Sequence, residues 1–234
     1  MESLEGTHYQ AAKKILRYLQ GTMDYGLFLS SDNTNIFHTY VDVDWGRDMD
    51  TRRSTSGIIH KLGSSSIFWR SKLQPTVSLS TTKAEYRVLT DAAKDILYFR
   101  RLLEELGITI DKATPLMNDN QSCIKLVQNP VMHSRTKHIG IQSHFIRETV
   151  QRGDVQVTYT PTEYQQADFL TKLLPFNKFN QNRFDTGILP LQLVTSTCPS
   201  AHATPLSPPS KLCALETFLP PDLAQTWIRE DAVE

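Results

Sequence analysis

The amino-acid sequence predicts a mixed α/β fold, in which a roughly five-stranded sheet is flanked by helices. Short segments of strand character separated by turn residues come first, followed by a long amphipathic helix and then by strands that alternate with helices. Strands joined by short turns pair antiparallel, whereas strands joined through helices pair parallel. Both pairing directions are therefore expected within one sheet.

The first part of the chain predicts one helix and four short strands. Residues 7–20 are expected to be helical, because their apolar side chains recur at helical spacing and Gly21 is suited to end a helix. Strand character and intervening turn residues predict strands at 25–29, 36–41, 55–61 and 66–70. The last three of these strands are expected to form an antiparallel meander over roughly residues 36–72.

The second part of the chain carries the strongest helical pattern, an apolar stripe over residues 82–106 that ends at Gly107. The elements expected after it are a strand at 114–118, helices at 121–128 and 138–151, a strand at 154–160 and a final helix at 163–173. From about residue 187 the sequence is rich in Pro, Ser, Ala and Thr and has little periodicity. We therefore expect residues 187–234 to be a largely disordered tail.

Composition excludes several classes of protein. The 234 residues carry no net formal charge, and the three cysteines show no CxxC spacing, so a disulfide framework and a paired-cysteine zinc site are not predicted. No apolar run is long enough to span a bilayer, and the first residues lack the features of a secretory signal. We expect an intracellular protein, in the cytoplasm, the nucleus or both.

Four carboxylates lie at junctions between the predicted elements. Asp42 follows a strand, Glu85 is near the start of the long helix, Asp119 follows the strand 114–118, and Asp168 lies in the final predicted helix. Gathering acids costs desolvation and mutual repulsion, which divalent cations offset. Carboxylates from separate elements suit Mg²⁺, and two such ions can promote phosphodiester hydrolysis. The joint pattern therefore indicates a metal-dependent hydrolytic site.

Each acid also has a purely structural explanation. Asp44 is a rival for the first position, because it shares a strand face with Asp42 two residues earlier. The word TKAE fits a capping box, in which Glu85 would bond back to the start of its helix. Asp119 fits the N-cap of the following helix, and Asp168 fits a solvated acid near a helix N-terminus. The order of the four acids, and not any one of them, indicates the site.

The sequence segments around these acids are similar to segments of a known protein family. In chain order they are YVDVDW, RRSTSG, SLSTTKAEY, NDNQS, NPVMHSRTKHI, HFIRE and YTPTEYQQADFLTKLLP. In this order and at this spacing they resemble the ribonuclease H region of copia-type retrotransposon Pol polyproteins, over roughly residues 7–186. The opening THYQAAKKILRYLQGTMDYGL is similar to the stretch that joins polymerase and ribonuclease H in those polyproteins. The predicted organisation is a reverse transcriptase connection remnant (1–34), a ribonuclease H-like domain (35–186) and the tail (187–234).

The resemblance implies a ribonuclease H-like sheet and a set of site residues. Asp42, Glu85, Asp119 and Asp168 would be both the catalytic residues and the ligands of two Mg²⁺ or Mn²⁺ ions. The implied reaction is hydrolysis of the RNA strand of an RNA·DNA hybrid, and the implied partner is a reverse transcriptase domain of the same or another polyprotein. Two basic groups are expected to contact nucleic acid, namely Arg52 and Arg53, and Arg135, Lys137 and His138.

Several positions depart from the family pattern. Lys83 stands where the family usually has an acid, and Gly140 and Leu173 also differ from it. No histidine lies between Tyr159 and Asp168 to assist proton transfer, and the chain contains no polymerase palm motif. These departures support an alternative hypothesis. In it, the chain is a catalytically decayed or domesticated remnant that acts as a nucleic-acid or protein binding module.

Overall fold

The central feature of the fold is a five-stranded sheet with helices packed against it. The computed structural model describes residues 6–30, 36–128 and 140–192. Its elements in chain order are α1 (Gly6–Gly21), β1 (Tyr25–Leu27), β2 (Phe37–Asp44), β3 (Thr55–Leu62), β4 (Ser65–Leu73), α2 (Thr81–Glu105), β5 (Thr114–Asn118), α3 (Gln121–Gln128), α4 (Gly140–Gln151), β6 (Val155–Tyr159), two 3₁₀ helices (Thr162–Tyr164 and Gln166–Leu170), α5 (Phe176–Asp185) and β7 (Ile188–Pro190).

The strand order of the large sheet is β4-β3-β2-β5-β6. The pairs β2–β3 and β3–β4 are antiparallel, whereas β2–β5 and β5–β6 are parallel. The predicted α/β class, with a mixed five-stranded sheet flanked by helices, is confirmed. Strand β2 runs to Asp44, beyond its predicted end at residue 41, because its acidic end remains paired with the start of β3. Sheet context overrides the low strand propensity of aspartate here.

Helix α2 provides most of the apolar surface that packs on the sheet. Its buried face includes Val88, Leu89, Ala92 and Ala93, as the apolar stripe predicts. Its N-terminus differs from the prediction, because Ser80 is the N-cap and its hydroxyl accepts a bond from the Lys83 amide. The capping box predicted for the word TKAE is therefore wrong, and the Glu85 side chain is left to make other contacts.

The final predicted helix at 163–173 is also wrong. The chain forms two short 3₁₀ helices there, with the extended residue Gln165 between them. The fully buried Gln165 side chain donates from Nε2 to the Val41 carbonyl of β2, at 3.0 Å. This contact fixes the segment against the sheet and outweighs its local helical pattern, as tertiary contacts commonly do.

Beyond residue 175 the structure contains two elements that the sequence did not predict, α5 and β7. Strand β7 pairs antiparallel with β1, so that Gly26 lies opposite Leu189 in a separate two-stranded sheet. This small sheet joins residues of the predicted segment 1–34 to the beginning of the predicted tail. The proposed domain boundaries at residues 34 and 186 remain a prediction, and most of the tail, residues 193–234, lies outside the described residues.

Helix α1 differs from the other helices in its surroundings. Its apolar residues are largely exposed, among them Ile15, Leu16 and Leu19. The amphipathic pattern that predicted this helix is therefore present without a buried face. Across the three described ranges, no helix combines the length and the apolar character that a membrane crossing requires.

Candidate metal centre

Three of the four predicted acids converge at one edge of the sheet. Asp42, Glu85 and Asp119 each offer a carboxylate oxygen, and these oxygens all lie within 4.8 Å of one another. Asp42 and Glu85 are almost fully buried, with 2% and 6% of their surface exposed, while Asp119 is partly exposed. Such a group of oxygens matches the ligands that Mg²⁺, Mn²⁺ and Ca²⁺ prefer.

The topology explains why these acids meet. Strands β2 and β5 are parallel neighbours, with Thr39 opposite Leu116, so their carboxyl ends lie at the same edge. Asp42 lies near the end of β2, and Asp119 directly follows β5. Glu85 comes from the first turns of α2, which packs against β2. The site therefore lies where catalytic groups of open α/β sheets commonly occur, at the carboxyl ends of strands.

Neutral hydrogen-bond donors hold two of these acids. The Asn118 side chain donates from Nδ2 to Glu85 Oε2 at 2.9 Å, and the Thr162 hydroxyl donates to Asp119 Oδ2 at 2.9 Å. Asn118 itself is fixed, because its Oδ1 accepts a bond from the Asn120 amide. Donors of this kind orient carboxylates and leave oxygen lone pairs available to a metal ion.

Burial makes the charged forms of the acids unfavourable without a cation. It raises the pKa of Glu85 to about 8, against the opposing hydrogen bond from Asn118. Burial also raises the pKa of Asp42, although Lys172 and the Thr171 hydroxyl oppose the rise. A divalent cation bound to these oxygens would favour their ionised form, so cation binding and proton release are coupled. The donor set therefore fits a divalent cation.

The fourth predicted acid, Asp168, lies beside this group and has different partners. It is fully buried in the second 3₁₀ helix. Lys172 Nζ lies 3.0 Å from Asp168 Oδ1 and 3.4 Å from Asp42 Oδ2, so it bridges the two acids. Lys178, from α5, also donates to the Asp168 carboxylate. Burial lowers the pKa of Lys172, but the two carboxylates outweigh it and raise that pKa overall.

A close approach of the 3₁₀ helix to the sheet brings Asp168 to the site. Gly57 of β3 pairs with Asp42, and a Cβ at Gly57 would come within 2.8 Å of the Thr171 methyl group and 3.0 Å of the Ala167 carbonyl oxygen. The glycine in the word RRSTSG is therefore required for this packing. The Thr171 hydroxyl donates to Asp42, which links the end of the segment directly to the acid.

The other predicted site residues that the structure describes lie outside the three-acid group. Asp44, the rival for the first position, forms a 3.1 Å ion pair with Arg47, and the three-acid group contains Asp42 instead. Arg52 is exposed and Arg53 is partly exposed in the turn between β2 and β3, at the same edge of the sheet as the acids. The other basic group, Arg135, Lys137 and His138, lies outside the described residues.

Sequence reasoning missed five side chains that contact the acids: Asn118, Thr162, Thr171, Lys172 and Lys178. A signal existed for Lys172, because it follows Asp168 by four residues in the word ADFLTK. Asn118 directly precedes Asp119 and ends a strand that points toward the site. No sequence pattern indicated Lys178, because α5 was not predicted.

The fold and the position of the acids define a class of protein. A mixed sheet of order β4-β3-β2-β5-β6, with an acid at the end of its central strand and further acids on α2 and after β5, is a ribonuclease H-like domain. The predicted fold class is thus confirmed in its particular form.

Curated relatives confirm the predicted resemblance. The chain is 43% identical over 181 residues to the retrovirus-related Pol polyprotein from transposon RE1 of Arabidopsis thaliana, a match that covers 77% of this chain and 12% of the relative. It is 42% identical over 173 residues to the corresponding polyprotein from transposon TNT 1-94 of Nicotiana tabacum, covering 74% and 13%. The chain is therefore homologous to a segment of copia-type Pol polyproteins and spans about an eighth of their length.

Comparisons with family models and with solved structures give weaker similarity than the curated relatives do. No family model matches the chain. Among solved structures, LC11-RNase H1, isolated from compost by a metagenomic approach, has a TM-score of 0.45 and 17% identity, covering 58% of this chain and 93% of its own. The strand order and the strand directions of the sheet define the ribonuclease H-like class.

Proposed function

We propose that this chain is a divalent-metal-dependent endoribonuclease that hydrolyses the RNA strand of RNA·DNA hybrids. The observation that carries the proposal is the convergence of Asp42, Glu85 and Asp119, from three different elements, within 4.8 Å. Three acids that share one edge of a sheet are costly to keep there unless a cation binds to them. Homology to Pol polyproteins supports the same activity.

The three acids would hold one Mg²⁺ or Mn²⁺ ion. When bound, such an ion would neutralise developing negative charge and lower the pKa of a water molecule. Asn118 and Thr162 would keep the Glu85 and Asp119 oxygens in place during the reaction. The resemblance to ribonuclease H regions implies a second ion. A second ion would need oxygens of Asp42 and Asp168, and Lys172 now bridges these acids.

The reaction proposed is in-line attack of water on a phosphodiester of the RNA strand, which leaves a 3′-hydroxyl and a 5′-phosphate. Asp168 is the fourth catalytic acid in this proposal, and it contacts Lys172 and Lys178. Recognition of the hybrid would rest on groove shape and backbone, with 2′-hydroxyls marking the RNA strand. Arg52 and Arg53, which lie at the same edge as the acids, would contact phosphates of the hybrid.

The test is cleavage of a labelled RNA·DNA hybrid in Mg²⁺ and, separately, in Mn²⁺, with Asp119→Asn as the matched control. The expected result is cleavage of the RNA strand only, and its loss in the control. A folded wild-type protein that cleaves nothing with either metal would contradict the proposal. That result would favour the alternative, a ribonuclease H-fold remnant that binds nucleic acid or protein without cleaving it.

The reverse transcriptase partner is proposed from homology alone, since the relatives are polyproteins much longer than this chain. A hybrid cleavage rate that rises when a copia-type reverse transcriptase domain is added would support it. An unchanged rate with the added domain at saturating concentration would contradict it.

A further inference from the structure

The two lysines at the Asp168 end of the site form a distinct feature of this molecule. Lys172 Nζ lies 3.0 Å from Asp168 and 3.4 Å from Asp42, and Lys178 donates to the second oxygen of Asp168. About a quarter of each lysine side chain is exposed, whereas Asp168 is not exposed at all. Both ammonium groups therefore reach inward from the surface to a buried acid.

Charge balance at this end is complete without a metal ion. Asp42 and Asp168 carry two negative charges, and the two ammonium groups together carry the charge of one divalent cation. A buried carboxylate needs such compensation, because an uncompensated charge in the protein interior is strongly unfavourable. The lysines therefore satisfy the electrostatic requirement that a second metal ion would otherwise meet.

Lys178 is held in this position by a second contact. Its Nζ also donates to the Thr162 carbonyl at 2.8 Å, and the hydroxyl of the same threonine donates to Asp119. Thr162 thus connects the lysine end of the site to the three-acid end. Helix α5, which carries Lys178, packs against the 3₁₀ helix of Asp168, with Phe179 contacting Phe169 edge-on.

The opposite end of the site has no such cation. Among the described residues, no lysine or arginine nitrogen forms an ion pair with Glu85 or Asp119, whose side-chain donors are Asn118 and Thr162. At Glu85 and Asp119 a divalent ion meets acid oxygens and neutral groups, and the nearest ammonium group, that of Lys172, contacts this three-acid group only through Asp42, at 3.4 Å. One that enters between Asp42 and Asp168 meets ammonium groups at contact distance and is repelled by them.

We propose that Lys172 and Lys178 replace a metal ion at the Asp168 end, so that the chain alone binds one divalent cation, at Asp42, Glu85 and Asp119. The inference deepens the proposed function, because it rests on the same metal site. A second ion binds only when the ammonium groups leave the two acids. The lysines are positioning residues in this account, since they act through Asp168 and Asp42.

The test is the number of Mn²⁺ ions bound by the full chain, measured by calorimetry and by the electron paramagnetic resonance signal of free Mn²⁺. Wild type is expected to bind one ion, and the Lys172→Met/Lys178→Met variant two. The matched control, Lys172→Arg/Lys178→Arg, keeps both charges and is expected to bind one. Asp119→Asn should weaken the wild-type site by at least about tenfold, which would locate that ion.

The outcomes separate this inference from the proposed function. Two ions on the wild type, or one ion on the methionine variant, would overturn the lysine assignment and leave the metal site intact. No binding by any protein would contradict the proposed metal site and, with it, this inference.

A further variant covers the case in which the methionine variant does not fold. Asp168→Asn/Lys178→Met removes one buried charge of each sign and leaves Lys172 paired with Asp42, so it should keep one ion with an affinity within about threefold of wild type. A tenfold or larger loss of affinity in this variant would overturn the inference.

Discussion

The two ends of the acidic cluster solve the same electrostatic problem in different ways. At one end Glu85 and Asp119 are held by an amide and a hydroxyl, and burial raises the pKa of Glu85 to about 8. At the other end Asp168 is fully buried against two lysines. Asp42 belongs to both ends. The fold thus supplies cations from its own chain at Asp168, whereas under the proposed function the neighbouring acids depend on a metal ion.

The strongest way to disrupt both ends at once is to neutralise the acid that they share. Asp42→Asn is expected to lower the hybrid cleavage rate by more than about 1,000-fold, beyond the 10–100-fold typical of outer ligand partners. The measurement is the initial rate in Mg²⁺. Asp44→Asn, two residues on and paired with Arg47, is the control and should retain most of the rate. Equal losses in the two variants would contradict the assignment of Asp42.

The lysine end can be tested through stability. Lys172→Met/Lys178→Met should lower the free energy of unfolding by about 3 kcal/mol, because Asp168 would remain buried without a partner. Urea unfolding in the absence of metal measures this loss. Adding Asp168→Asn to the double variant should recover much of it, because the unpaired charge is then gone. A double variant as stable as wild type would show that the lysines do not compensate Asp168.

The raised pKa of Glu85 should make the stability of the metal-free protein depend on pH. The pKa of Glu85 is about 8 in the fold and near 4.5 in an unfolded chain, so the fold retains this proton more strongly. The resulting contribution to stability is fully present below pH 4.5 and is lost as the pH rises through 8. Metal-free protein should lose up to about 5 kcal/mol of unfolding free energy over this window, because each pKa unit corresponds to about 1.4 kcal/mol. Urea unfolding at several pH values measures it.

Glu85→Gln is the matched variant for the pH experiment, because it cannot ionise. Its unfolding free energy should change less with pH than that of the wild type across the same window, since the contribution of the Glu85 proton is absent. Parallel pH profiles for the two proteins would mean that Glu85 titrates normally in the fold.

The smallest effect is expected at Lys83, which departs from the family pattern. The lysine whose charge acts on Asp42 and Glu85 is Lys172, and the role of Lys83 shown by the structure is to bond its amide to the N-cap Ser80. Lys83→Glu should therefore change Mn²⁺ affinity by less than about threefold, as for other solvent-screened charges. Calorimetry measures it, and a tenfold gain in affinity would mean that Lys83 weakens the metal site.

The sheet and its helices were predictable because their signals are local. Apolar periodicity defined α2, and the alternating pattern of residues 154–160 defined β6. The end of the chain was less predictable, because its conformation depends on distant contacts. Gln165 bonds to a β2 carbonyl, and Gly57 permits close packing of the segment that follows. Neither contact can be inferred from neighbouring residues.

The same distinction applies to the site. The convergence of Asp42, Glu85 and Asp119 was predicted, with that of Asp168, from the order of the four acids and from the resemblance of the words around them to ribonuclease H regions. The contacts of Lys172 and Lys178 with Asp168 were not predicted. Lys178 reaches that acid from α5, a helix that the sequence pattern did not indicate. Opposite charges that meet only through folding leave no periodic signal.

The most direct test of the difference between the two ends is a crystal structure of the protein soaked in Mn²⁺, with anomalous diffraction recorded at the manganese edge. We expect one anomalous peak, enclosed by Asp42, Glu85 and Asp119, with Lys172 still in contact with Asp168. A peak between Asp42 and Asp168, or the absence of a peak among the three acids, would contradict it.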